Sequence, residues 1–311
     1  MRIGVVVEVG AGAHAPRDVT GLVRDAEEAG LDLVWLLGDH GLTSGAADAS
    51  GAADAPAAAD APGAADALTA AAFLAVGTSA VRLIARAPVG PHPVLIAEQA
   101  AVADNASGGR LTLVLSACGP AGAGLTETAR IVLAATGPRP FVHHGDRWTI
   151  PGAIDGNAGE RRLSVTPKPA QLELPVWLIG DGAPAAGREL GLSHVADADE
   201  GAGDAATAWS MTERTLGTVA ARLRRPALRE LACSPAGDFD DAALTAALID
   251  ESERWGLDVV AFALRPALGR SPRRRAIERL TSLVRPYLQI DRLPAHVQDS
   301  WARELVTRFS E

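Results

Sequence analysis

Eight short apolar runs recur along the chain: Ile3 to Val9, Leu33 to Leu37, Val81 to Ala87, Leu111 to Leu115, Val176 to Ile179, His194 to Ala196, Leu228 to Cys233 and Asp258 to Leu264. Most are apolar at nearly every position, as a parallel strand covered on both faces requires. Helical patterns fill the intervals. Asp18 is placed to cap a helix in which Val19, Leu22, Val23 and Ala26 fall at i, i+3, i+4 and i+7, with Gly30 as its stop. Further helices are expected over Ala67 to Val76, Pro93 to Asp104, Glu127 to Ala135, Pro184 to Leu190, Ala205 to Arg224, Asp240 to Trp255 and Arg273 to Leu283. Strand and helix in alternation predict a (β/α)8 TIM barrel spanning residues 1–311 as a single domain. A doubly wound open sheet is the alternative. It is disfavoured because Gly10 and Gly12, after the first run, lack the third glycine of G-x-G-x-x-G.

Two segments stand outside the alternation. Residues 45–68 read GAADASGAADAPAAADAPGAADAL, a six-residue repeat carrying Asp48, Asp54, Asp60 and Asp66 and almost no large apolar side chain. It buries too little to offset its ordering entropy, and is expected to form a flexible low-complexity loop after strand 2. Residues 138–171 hold short β-like pieces at Phe141 to His144, Arg147 to Ile150 and Leu163 to Val165. They predict an excursion before strand 5 of the barrel.

Composition narrows the function class. A formal charge of -9 argues against a nucleic-acid binder, which needs a basic face. Cys118 and Cys233 form no CxxC pair, so a zinc ribbon or disulfide framework is not suggested and a reducing cytoplasm is the expected setting. Glu8 interrupts the first apolar run, which reads as a strand rather than a signal peptide. No stretch approaches the ~20 apolar residues of a membrane span. Glu8, Asp39 and His40 come nearest to a metal set, but closeness in sequence is weak evidence for one, and no metal is expected.

The segment from His92 to Leu115 carries His92-Pro93, Ala97-Glu98, Asp104 and Ser107 to Arg110, followed by an apolar strand. Pro93 suits the first turn of a helix, and the Asn105 to Gly109 break ends it. This block resembles the helix-strand signature of the bacterial luciferase-like flavin monooxygenases, and TPKPAQ at Thr166 to Gln171 resembles the run before their fifth strand. Where that family usually carries alternate glycines, this strand carries Val114, Ser116 and Cys118.

The resemblance implies a site at the C-terminal ends of the barrel strands. His40, preceded by Asp39, stands where the family carries a catalytic His; an imidazole there titrates near working pH and would hydrogen-bond the reacting species. Ala85, Arg86 and Ala87 occupy the third-strand end, where the resemblance implies a non-prolyl cis peptide under the flavin. Ser116, Ala117 and Cys118 close the fourth strand beside the cofactor. WLIGDGAPAAGREL reads strand, glycine-rich turn, helix, so amides near Gly180, Asp181, Gly182 and Ala183 are placed to hold the flavin phosphate, with Arg188 the nearest cation.

Family members use reduced FMN with O2 or the deazaflavin F420. The acidic run at Asp197, Asp199, Glu200 and Asp204 would repel the anionic tail of F420, and Ala97 to Gln99 leans toward FMN, whereas Asp39-His40 leans toward F420. The implied activity is oxygenation of an organic, hydrophobic substrate with reduced FMN supplied by a flavin reductase. Two alternatives stand beside it: an F420-dependent oxidoreductase, and a non-catalytic or degenerate flavin-binding homologue, which the glycine replacements motivate. The resemblance also implies a homodimer through early barrel helices.

Overall fold

The computed structural model describes residues 1–9, 16–38, 66–117, 124–152, 161–195, 226–255, 257–264 and 268–289. Every apolar run predicted as a strand contributes one. In chain order the elements are β1 (Arg2–Glu8), α1 (Pro16–Glu28), β2 (Leu33–Leu37), α2 (Ala67–Ala75), β3 (Arg82–Pro88), α3 (Pro93–Ala106), β4 (Leu111–Ala117) and α4 (Leu125–Thr136). The excursion supplies β5 (His143–His144) and β6 (Thr149–Ile150). The series continues with β7 (Val176–Gly180), α5 (Ala183–Leu190), β8 (Ser193–His194), β9 (Pro226–Glu230), α6 (Asp241–Trp255), β10 (Val259–Ala263), α7 (Arg270–Arg279), a π-helical turn (Leu280–Val284) and α8 (Arg285–Gln289).

Eight parallel strands run in the order β8-β7-β4-β3-β2-β1-β10-β9. Because β1 pairs with β10 as well as β2, the sheet curls into a nearly closed (β/α)8 barrel, with β8 and β9 at the seam. Alternation along each strand separates two cores. Val6, Trp35, Ile84, Val114, Trp177 and Ala261 fill the inside of the barrel. Val5, Val34, Ala85, Leu115, Leu178 and Val260 point outward and pack beneath the helices. Inside, the rings of Trp35 and Trp177 meet at 5.7 Å, tilted by 51°. The Trp35 indole N–H has no hydrogen-bond partner.

The family-like block forms a clamp at the N-terminal pole of the barrel. Arg110 Nη1 donates to Val81 O at 2.7 Å and Nη2 to Thr78 O at 2.9 Å, so one guanidinium satisfies carbonyls of the turn that follows α2. The Asp104 carboxylate is fully buried and accepts from the Leu111 N–H at 3.3 Å, the Gln171 N–H at 2.9 Å and the Gln171 side-chain amide at 2.7 Å. Lys168 Nζ meets Ala135 O at the end of α4 at 3.0 Å. The SGGR and TPKPAQ motifs thus hold neighbouring parts of the scaffold together.

Three elements differ from expectation. The tract expected to be a flexible loop over 45–68 ends in order: Asp66 caps α2 through the Leu68 and Thr69 N–H groups, and Leu68 is buried. β9 begins at Pro226 rather than Leu228 and leaves the ladder after Glu230, because pairing with Val259–Ala263 fixes its register. Leu231 and Cys233 are apolar because they pack in the helix-side core beyond the strand. The helix expected over Arg273 to Leu283 begins at Arg270 and turns π-helical from Leu280. There Thr281 Oγ1 donates to Ile277 O at 3.2 Å and Ser282 Oγ to Glu278 O at 2.6 Å, hydroxyl bonds that compete for helix carbonyls. The repeat through residue 65, the expected helix over 205–224 and the acidic run 197–204 lie outside the described residues.

Candidate functional site

The C-terminal ends of the strands form one pole of the barrel. Arg86 lies two residues beyond inward-facing Ile84 and opposite Val114, so its side chain extends the inner face. It is only 8% exposed. Ser116 pairs with Pro88 on one side and Ile179 on the other, and is likewise buried on the inner face. Ala85, Ala87 and Ala117 belong to the outer core, so only their backbone borders the pole. Of the third- and fourth-strand candidates, Arg86 and Ser116 therefore turn side chains inward. Asp39, His40 and Cys118 lie outside the described residues.

The cis peptide implied for Ala85 to Pro88 is not present. The cis bonds among the described residues are Ile150–Pro151 and Thr166–Pro167. β3 stays extended in its ladder to the end: Pro88 pairs with Ser116, and the Val89 N–H donates to Ser116 O at 2.8 Å.

Next to this strand end, β7 makes a turn that only glycine permits. Gly180 has φ of 94°, and a Cβ there would stand 2.0 Å from Ala117 O. Gly182 follows at φ 78° as the N-cap of α5, without a side-chain cap, and a Cβ built on it meets nothing within 4 Å. The space is open at Gly182, whereas Ala183, the first α5 residue, is buried in the helix-side core. The Ala186 N–H is already bonded to Gly182 O at 2.9 Å and Pro184 has none, which leaves the Ala183 and Ala185 amides at the helix start. Unpartnered amides at a helix start suit a small anion. Asp181 is exposed beside them. Arg188 sits in the last turn of α5 with its side chain exposed, at the far end from these amides.

A further cluster on the rim escaped the sequence reading. Glu127, in the first turn of α4, accepts from His143 Nε2 and from the Trp148 N–H, both at 3.0 Å, and from the Arg147 N–H at 3.2 Å. The Trp148 ring packs edge-on against His92, the N-cap of α3, with centroids 4.6 Å apart. The β5–β6 hairpin is thereby pinned across the starts of α3 and α4. Burial pushes the Glu127 carboxyl up, but the bonds from His143, Trp148 and Arg147 outweigh it and hold the carboxyl below the usual range. His143 takes this inward place while His144 is exposed, the opposite facing that their adjacency predicts. The available signal was a carboxylate in the first turn of the helix after β4.

The sequence model of luciferase-like monooxygenases matches residues 1–194, the segment that contains β1 to β8 and the Gly180 turn. The chain belongs to the luciferase-like monooxygenase family. Solved structures share the barrel of this luciferase-like protein at low identity. Monooxygenase RslO1 from Streptomyces bottropensis aligns at 16% identity over 92% of this chain and 99% of its own, with a TM-score of 0.67. The oxygenating constituent of 3,6-diketocamphane monooxygenase from Pseudomonas putida, solved with FMN, aligns at 13% identity over 92% and 98%, with a TM-score of 0.63. An F420-dependent secondary alcohol dehydrogenase bound to an F420-acetone adduct aligns at 16% identity over 92% and 98%, also at 0.63. These likenesses establish fold. No curated protein matches the chain by sequence.

Proposed function

We propose that this luciferase-like protein acts as one domain over 1–311, using reduced FMN, delivered by a separate reductase, and O2 to oxygenate a hydrophobic organic substrate. The observation that carries the reading is the uncapped Gly180–Ala183 turn at the C-terminal pole, whose amides suit one phosphate group, set in a chain of this family. When bound, reduced FMN supplies the electrons that activate O2. Gly180, Asp181, Gly182 and Ala183 hold the phosphate through backbone amides. Arg86 and Ser116 face the ring system from the inner wall, the guanidinium favouring its anionic edge. His40, preceded in sequence by Asp39, is the group proposed to orient or protonate the reacting oxygen. The apolar inner wall of Trp35, Ile84 and Val114 excludes water. Arg188, in the last turn of the same helix, is the cation proposed nearest to that phosphate in sequence.

FMN is preferred to F420 because a single-phosphate cradle is matched by the acidic composition of 197–204, which disfavours a long anionic tail. The purified chain is to be titrated with FMN, reduced FMN and F420 and followed by absorbance and fluorescence. Saturable binding of reduced FMN is expected. Tight F420 binding would instead favour hydride transfer, and binding of none of the three would favour a degenerate homologue.

The assembly proposed is a homodimer through α2 and α3. These helices pack side by side, and outward they leave Phe73 at 66%, Val76 at 84%, Leu95 at 47% and Val102 at 49% exposure. A cluster of this size on two neighbouring helices suits a self-complementary interface. Sedimentation is expected to show a dimer, with Phe73→Glu giving monomer; a monomeric parent protein would refute the proposal.

A further inference from the structure

The site described above lies at the C-terminal pole, but a cavity of about 610 Å³ opens at the opposite one. Its walls include the first residues of five strands, Arg2, Leu33, Arg82, Ser193 and Val259, with Thr112 and Trp177 beside them. β1 rises from Arg2 to Glu8, so the two poles stand roughly 20 Å apart at ~3.3 Å per residue. Strand parity explains why this end is polar. Arg2, Arg82 and Thr112 continue the inward series of Val6, Ile84 and Val114, while Ser193 stands opposite Trp177. Two guanidinium groups and two buried hydroxyls therefore line a recess whose deeper wall is the apolar Trp177.

Two guanidinium groups and one carboxylate stand among the lining residues. Arg82 Nη1 donates to Leu111 O and to Thr112 Oγ1, both at 3.2 Å, which fixes the guanidinium plane against the wall. The carboxylate among the lining residues, Glu173, has an exposed side chain. The end of α4 also borders the cavity and would oppose an anion through its carbonyls. However, Lys168 Nζ bonds Ala135 O at 3.0 Å and the Gly137 N–H bonds Leu133 O at 3.1 Å, which offsets that field. At the rim, Leu172 is 90% exposed, an apolar side chain held at the entrance. The volume lies within the ordinary range of small-molecule pockets.

We propose that this N-terminal recess is a second ligand site, separate from the catalytic pole, for a carboxylate with an apolar body. The carboxylate lies against Arg2 and Arg82, with Thr112 and Ser193 as hydroxyl partners, and the hydrocarbon covers Trp177 and reaches out past Leu172. The test uses octanoate, with octanol as the neutral isostere, titrated into the full chain while tryptophan fluorescence is recorded at constant ionic strength. Octanoate is expected to saturate below about 1 mM and to bind about tenfold more tightly than octanol. Trp177→Phe should remove most of the signal. Arg2→Met should weaken octanoate about tenfold while leaving octanol unchanged. Leu172→Asp, at an exposed position that burdens folding little, should weaken octanoate several-fold through like charge. Saturating FMN should leave octanoate binding intact. Equal binding of octanol and octanoate, octanoate binding insensitive to both Arg2→Met and Leu172→Asp, competition with FMN, or no saturable binding would each overturn the proposal. Octanoate binding that persists without any FMN binding would sustain this site while sinking the flavin reading, so the two fail separately.

Discussion

At Glu127 one carboxylate organises three donors from a hairpin more than a helical turn away in sequence. Its folded pKa lies below the ordinary carboxylate value near 4.3, so it contributes stability above that value and loses it as pH falls through the lower folded one. Glu127→Gln is expected to cost about 1–2 kcal/mol at neutral pH, shrinking as the pH drops below about 4. Urea unfolding at the two pH values measures this, and equal differences at both would contradict it. Gly180→Ala faces a harder obstacle, a positive φ together with a Cβ 2.0 Å from Ala117 O. It should cost about 3 kcal/mol or more and weaken FMN binding, read by thermal melts and flavin fluorescence. Such residues were unequally legible. Glycine in a strand-turn-helix context announces its own backbone, and Gly180 ends β7 with the positive φ that opens the turn. Glu127 announces nothing, because only the fold brings it to His143. Arg86 was picked out for its position in the chain, yet which of Ala85, Arg86 and Ala87 turns inward depended on strand parity relative to the barrel axis.

Among elements, strands and helices were readable wherever burial sets the period. β1 to β4 and β10 are apolar on both faces because one face meets the barrel interior and the other the helices. β9 was read two residues late because Leu231 and Cys233 look like strand residues but pack after it. The π turn at Leu280–Val284 arises from hydroxyl bonds that no apolar period reports. The family-like motif belongs to this scale as well, since Arg110 and Asp104 join α2, α3, β4 and the returning excursion. Asp104→Ala leaves buried amide donors without an acceptor and should destabilise the fold by about 3 kcal/mol. Arg110→Lys keeps the charge but cannot reach the same carbonyls, and should cost about 1–2 kcal/mol. Both are expected to shift the urea midpoint while leaving FMN affinity of the folded protein unchanged. A selective loss of FMN affinity would move this motif from scaffold to site.

On the scale of the whole molecule, alternation of strand and helix was enough to fix the barrel, whereas its two poles were not equally visible. The C-terminal pole was expected to hold the site because parallel barrels build their sites from the loops that follow the strands. The N-terminal recess depends on Arg2, Arg82, Thr112 and Ser193, which lie in the first two residues of separate strands and share no spacing in the sequence. Chemistry at the first pole and recognition at the second would let the loops of one end change without disturbing the other.

The pairing of β1 with β10 also governs how the molecule is made. As the chain leaves the ribosome, β1 finds β2, β2 finds β3 and β3 finds β4 among near neighbours in sequence. The other flank of β1 must wait until Val259–Ala263 has been synthesised. Throughout that interval it presents an apolar row of unsatisfied amides and carbonyls to any strand it meets. Slow translation of the final third would prolong that exposure, so yield of soluble protein is expected to depend on chaperone supply more than on the stability of the finished barrel.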